Sequence, residues 1–189
     1  MAVFEVAKDI DGTTIGHHEC TTTDAVVTFG SVSGGSRISQ AYDHLMLKIS
    51  ARSDQATYVS GMGMKFNAAT TNYSETRLLA SSSTPVSNRK TGESILRAWG
   101  NIPGSSSLAD TFSANTVWIP HYANTANFKQ FVARSADPNN STTDDQWNVM
   151  VSAGLWSDTD AITQIDLSIV AGDDFVQYSN FTLYGVTGA

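Results

Sequence analysis

The sequence predicts an all-β protein, an antiparallel β-sandwich of jelly-roll type, and three observations carry that prediction. Apolar residues recur at every second position in short runs, most plainly Leu45, Leu47 and Ile49 in LMLKIS, which places them on one face of a pleated strand. Roughly eleven such runs follow at intervals of about 8–15 residues, too closely for the crossover helices that parallel strands require. Charged residues are only 15% of the chain, and Ser, Thr, Asn and Gly take surface positions that Lys and Glu fill in helical proteins.

In order, the strand-like runs are Ala2–Ala7, Asp24–Gly30, Asp43–Ser53, Gly61–Asn67, Glu75–Ala80 and Ser94–Gly100, then Asn115–Tyr122, Asn127–Ser135, Gln146–Trp156, Ala161–Val170 and Asn180–Val186. Between them lie SGGS (Ser33–Ser36), SSSTPVSN (Ser81–Asn88), IPGSSS (Ile102–Ser107) and ADPNNSTTDD (Ala136–Asp145), rich in the Gly, Pro, Asn and Asp that turns use. No fixed-period repeat or Pro/Gly-rich linker divides the chain. The loosely patterned residues 1–35 are expected to form an N-terminal arm, and residues 36–189 the sandwich domain.

The 189 residues carry a net charge of −7, unevenly placed: all eleven Lys and Arg fall at or before Arg134, and every charged residue after it is an Asp. That sign disfavours a nucleic-acid groove. The single cysteine, Cys20, excludes an intrachain disulfide and points to synthesis in a reducing compartment. No stretch approaches the ~18 apolar residues of a membrane helix, and the N-terminus lacks an export signal, so neither membrane insertion nor export is expected.

His17, His18, Glu19 and Cys20 (HHEC) are the densest ligand-like cluster. Zinc takes about four ligands, usually from two separated pairs; His44 and His121 could complete a site, but nothing in their spacing demands it, so a polar loop or docking segment is expected. Asp43–His44 enters a strand, where successive side chains face opposite sides; a charge pair is expected there, not a nucleophile's relay. The four glutamates, Glu5, Glu19, Glu75 and Glu93, include no obvious carboxylate pair for glycoside hydrolysis. The acids of WSDTDA (Trp156–Ala161) and AGDD (Ala171–Asp174) are of the kind that ligates calcium, yet neither follows EF-hand spacing, and solvated turns are expected. Trp99, Trp118, Trp147 and Trp156 lie in or at the ends of strand-like runs; most are expected in a core or interface, while an exposed one would offer a face to a sugar ring. The glycosylation-type triplets at Asn72, Asn139, Asn140 and Asn180 mean nothing without export. No catalytic residue, cofactor or metal is expected.

One succession of blocks is more specific than any of these: YDHLMLKISARSD (Tyr42–Asp54), GMGMKFN (Gly61–Asn67), IPG (Ile102–Gly104), NTVWIPHYANTANFKQF (Asn115–Phe131), GLW (Gly154–Trp156) and AITQIDLSIVAGDDFVQYSNFTLYGV (Ala161–Val186). It resembles a family of bacteriophage virion proteins, many from marine phages, over about Tyr42 to Val186. The resemblance implies a β-sandwich or jelly-roll module on the outside of the virion, made in the host cytoplasm, with no catalytic residues. A chain beginning at its own Met without a fibrous shaft fits a capsid decoration or cement protein best. Its expected partners are the major capsid protein and its own copies, as a homotrimer, with residues 1–35 docking to capsid or neighbour. The alternative is a tail or head fibre tip or knob that binds a host-surface glycan or receptor.

Overall fold

A computed structural model describes residues 1–81, 84–97, 99–139, 143 and 146–188. Their regular structure is all strand: β1 (Val3–Val6), β2 (His17–Glu19), β3 (Val26–Gly30), β4 (His44–Ser50), β5 (Val59–Phe66), β6 (Tyr73–Ala80), β7 (Val86–Glu93), β8 (Asn101–Pro103), β9 (Ala114–Pro120), β10 (Lys129–Asp137), β11 (Asn148–Trp156), β12 (Gln164–Ile169) and β13 (Asn180–Thr187). A large antiparallel sheet has the order β1-β13-β4-β9-β10-β11-β6-β7, with β2 also paired to β13; a small one has the order β3-β12-β5-β8. From β2 to β6 the chain changes sheet at every step, and it does so again around β8 and β12. Sequence neighbours therefore face each other across a sandwich core, as in a jelly roll. The expected all-β antiparallel sandwich is what forms.

Alternation decides which side chains fill the core. In β4, Leu45, Leu47 and Ile49 turn inward; in β9, Val117 and Ile119; in β10, Phe131 and Ala133; in β13, Phe181 and Leu183. Opposite them the small sheet supplies Val27, Phe29, Met62, Met64, Phe66, Ile165 and Leu167, all essentially sealed from solvent. Each such aliphatic or aromatic side chain contributes about 1.5–3 kcal/mol on leaving water, which is what holds two sheets face to face. Tyr73 stacks beside Trp156 at 6.3 Å and anchors β5, its hydroxyl accepting from the Phe66 N–H at 2.8 Å.

Three strands arise where loops were expected. β2 and β8 have three residues each, and β7 (VSNRKTGE) is an edge strand with no apolar alternation. An edge carrying Arg89 and Lys90 resists pairing with another chain, so its polarity is a property of its position. Conversely, the described residues of Ser94–Gly100 make no strand. Leu96 bridges Met64 only locally, while Leu96 and Trp99 are both fully buried. Core filling, not pairing, accounts for its apolar residues.

Residues 1–35 are built into the sandwich. β1 and β2 pair with β13, β3 pairs with β12, and Ala7, Cys20, Val27 and Phe29 lie in the core. Gly16 lets this segment run against its neighbours: a Cβ there would clash with the Leu183 carbonyl oxygen and the Ala7 nitrogen, both backbone atoms that cannot swing away.

Candidate functional site on the outer face of the large sheet

The positions that do not face the core line up in rows across the large sheet. One row holds Tyr184, Met46, Trp118, Val132, Ala153, Thr76 and Arg89; the next holds Thr182, Lys48, Thr116, Arg134, Val151, Leu78 and Ser87. Four hollows adjoin along these rows. One of about 360 Å³ lies between Trp118 and Arg89, one of about 330 Å³ over Met46, Thr116 and Arg134, one of about 460 Å³ between Lys48 and Tyr184, and one of about 440 Å³ beside Gln130 and Phe128. The first two share Trp118 and Val132, the second and third share Thr116, and the first and fourth share Pro120 and Gln130. Together they form a groove that crosses the strands. From β7 to β13 it spans six inter-strand steps, or about 29 Å at the usual sheet spacing.

Trp118 stands in the middle, partly exposed, because Val117 and Ile119 on either side take the inward positions. Its ring is braced by His44, 4.9 Å away at 51°. His44 is in turn fixed by the His121 backbone N–H, which donates to Nδ1 at 3.1 Å, and by the His121 ring at 4.8 Å. Burial, and then the neighbouring His121, holds the His44 pKa below the usual imidazole value, so Trp118 rests on a neutral ring at neutral pH. The expected Asp43–His44 pair makes no salt bridge: the Asp43 carboxylate accepts from the Gly188 N–H at 2.8 Å, and its charge only partly offsets the burial that keeps His44 neutral.

The charge on this face is one-signed over its centre. Lys48, Arg89 and Arg134 are exposed, and none pairs with a carboxylate among the described residues. The outward positions of β4, β6, β9, β10, β11 and β13 carry no Asp or Glu at all. Glu75 borders the hollow between Trp118 and Arg89 but is buried, at an inward position of β6 with both oxygens on the Arg97 N–H, and Glu19, opposite Asn180 on the short strand β2, shares the face at its margin. Towards β6 the face becomes aliphatic: Leu78, Val132, Val149 and Val151 are each about half exposed.

The other sequence candidates have local explanations. In HHEC, His17 Nδ1 lies 3.2 Å from Thr182 Oγ1, while His18 Nε2 lies 2.9 Å from Asp24 Oδ2. The Cys20 thiol is buried and donates to Asp24; burial first, then Asp24, pushes its pKa up to about 12. Hydrogen bonds from His18 and then Cys20 lower the Asp24 pKa. A nucleophilic cysteine needs a base at its sulfur, whereas here the histidine lies beyond the carboxylate. The ligand atoms of His18, Cys20 and Asp24 come within 4.8 Å of one another, one donor short of a tetrahedral zinc set, and their mutual hydrogen bonds satisfy them. Asp24 was not singled out from the sequence, since it lies four residues beyond the cluster.

Glu5 pairs with Lys8 at 3.3 Å on the surface. Buried Glu75 takes the Arg97 backbone N–H on both oxygens at 3.1 and 3.0 Å, and Glu93 lies 3.2 Å from Arg97 Nε, out of line for a hydrogen bond. The Thr159 carbonyl of the WSDTDA loop and the Asn127 carbonyl each accept from the fully buried Lys129 Nζ at 2.9 Å; burial lowers the Lys129 pKa, and Asp158 and Asp160 oppose it by favouring the charge. The protein's own cation thus takes up oxygens that a calcium ion would need. AGDD is a turn: Gly172 has φ of 89°, and the Asp174 N–H donates to Asp54 Oδ1 at 2.9 Å. Trp99 and Trp156 are core residues, and Asn140 lies outside the described residues.

Asp137 was expected in the loop Ala136–Asp145; it is instead the last residue of β10 and is completely buried. Asn148 Nδ2 donates to its Oδ2 at 3.4 Å, while Asp137 Oδ1 and Asn148 Oδ1 find no partner among the described residues. Burial pushes its pKa up to about 7, with Arg52 pulling the other way.

No family model matches the chain, and no curated protein matches it. Among solved structures, the chain is similar to the galectin LEC-6 of Caenorhabditis elegans, with 6% identity, 91% of this chain and 96% of that one covered, and a TM-score of 0.35. It is also similar to a protein of unknown function from Shewanella oneidensis MR-1, with 9% identity, 96% and 87% covered, and a TM-score of 0.18. Neither score reaches the range in which a shared fold is inferred; the sandwich assignment stands on the strand pairing itself.

Proposed function

We propose that this chain is a non-catalytic recognition module on the outside of a bacteriophage virion, of the fibre-tip or knob kind, and that the outer face of its large sheet takes a host-surface saccharide. The observation that supports it is Trp118, partly exposed where the hollows meet and braced from one side by His44. An indole face stacks on the C–H surface of a sugar ring while flanking polar groups, here Gln130, Thr116 and Arg134, pair with hydroxyls. The virion setting is supported by the succession of blocks from Tyr42 to Val186. A glycan array and a host-cell binding assay test it: Trp118→Ala is expected to weaken binding about tenfold, the loss of one aromatic contact. Wild-type protein that binds neither glycans nor cells overturns it.

Capsid decoration is the second function to test, with the half-exposed Leu78, Val149 and Val151 as its support. Three aliphatic side chains side by side suit a protein partner better than a sugar, here the major capsid protein or further copies in a trimer. Co-sedimentation with expanded capsids and the mass of the purified chain in solution check it, and a monomer that is not retained removes it.

A further inference from the structure

The geometry points to an acidic saccharide, one carrying carboxylate, sulfate or phosphate groups, as the ligand of the large-sheet groove. This rests on the recognition function proposed above and names the chemical class of its ligand.

The chain carries 18 acidic and 11 basic side chains, yet the outward positions of the six strands that floor the groove hold bases and no acid. Lys48 and Arg134 lie in one row on either side of Thr116, two strands and therefore about 10 Å apart. Arg89 extends the series at the far end of the Trp118 row. Each is exposed and has no carboxylate partner among the described residues, so its charge is available to a ligand. A neutral glycan gains nothing from this separation of signs. A ligand with one negative charge every few sugars gains a contact at each base, while the acids elsewhere on the molecule repel it from other surfaces.

Nucleic acid fits less well. Duplex DNA presents a charge about every 1.7 Å, and three bases spread over the five inter-strand steps from β4 to β7, about 24 Å, in a chain of net charge −7, neutralise few of them. The planar indole of Trp118 between the bases suits a sugar ring with an acidic substituent.

The test uses the full chain and four probes: polygalacturonate, dextran sulfate, neutral dextran and duplex DNA, each at low and high salt. Binding to one or both acidic polysaccharides, weakened by salt and reduced about fivefold by each of Lys48→Gln and Arg134→Gln, is the expected result, since an exposed charge contact is of that size. Polygalacturonate alone assigns the carboxylate class; dextran sulfate alone assigns sulfate or phosphate esters. Equal binding of dextran, unchanged in the Gln variants, overturns the acidic ligand and leaves saccharide recognition standing. DNA bound as tightly as the acidic polysaccharides overturns it in favour of bare charge. If no saccharide binds here or on the glycan array, both fall. Trp118→Ala separates them further, since it is expected to weaken binding without changing its salt dependence.

Discussion

Replacing Asp137 with Asn is expected to stabilise the protein at pH 8 and to remove one component of its pH dependence. Asp137 is completely sealed, its carboxyl pKa rises from 3.8 to about 7 through burial, and two oxygens, its own Oδ1 and Asn148 Oδ1, have no donor among the described residues. A proton on Asp137 answers both facts, because the acid O–H is a donor beside an amide oxygen that lacks one. Folded Asp137 holds its proton up to about pH 7, whereas in the unfolded chain it loses it near 4. Between those values the folded state binds more protons than the unfolded state, so stability falls as pH rises and levels off above about 7. About three pKa units at 1.36 kcal/mol each set an upper limit of about 4 kcal/mol on that loss. Asparagine keeps the shape and never ionises. Urea unfolding of both proteins from pH 4 to pH 8 measures it: the two stabilities are expected to be within about 1 kcal/mol at pH 4 and to diverge in favour of Asp137→Asn with rising pH. The shifts of Asp24 and His44 are common to both proteins and cancel in the difference. Parallel curves, or a variant less stable at pH 8, refute a protonated buried Asp137.

Other substitutions probe the packing around the groove. Gly16→Ala is expected to cost about 3 kcal/mol in thermal or urea unfolding, because backbone atoms of Ala7 and Leu183 fill the space its Cβ needs. Lys129→Met, which strips the Asn127 and Thr159 carbonyls of their shared donor, is expected to cost about 2–3 kcal/mol by urea midpoint. Cys20, fully buried with its thiol pKa near 12, is expected to react with a thiol-specific dye only after denaturation, and prompt labelling of native protein would contradict its burial.

Much of the sandwich is visible in single strands. Leu45, Leu47 and Ile49 show their parity openly, and the same rule applied to NTVWIP puts Val117 and Ile119 inside and Trp118 out. Counting by twos from Phe131 and Ala133 also places Lys129 and Asp137 inside, although their charge argues for solvent. Parity won over polarity because each finds a local partner: two carbonyls for Lys129, Asn148 for Asp137. Arg89 could not be placed this way, since β7 has no apolar positions to set its phase and exists only because β6 offers an edge. The groove itself is a property of sheet order. Lys48, Thr116 and Arg134 lie far apart in sequence, and only the pairing of β4 with β9 and β9 with β10 sets them in one row.

That order also explains how an acidic chain keeps an anion-accepting face. Of the eight acids after Arg134, six are described, and each is held away from the groove floor. Asp137 is inside, Asp158 and Asp160 favour the buried Lys129, and Asp173 and Asp174 occupy the turn after β12. Asp166 lies on the small sheet, where Thr28 and Gln164 donate to it. The base-free C-terminal third still supplies two strands of the groove floor, β11 and β13, but their outward residues are Val149, Val151, Ala153 and Leu155, and Asn180, Thr182 and Tyr184. Neutral strands thus flank the bases of β4 and β10. Because an exposed cation is weakened most by a carboxylate within a few ångströms, three bases with no acid at the outward positions of the floor strands attract an anion more effectively than a larger number interleaved with Asp and Glu. Charge segregation along the sequence becomes, through interleaved strands, charge segregation between the faces of one domain.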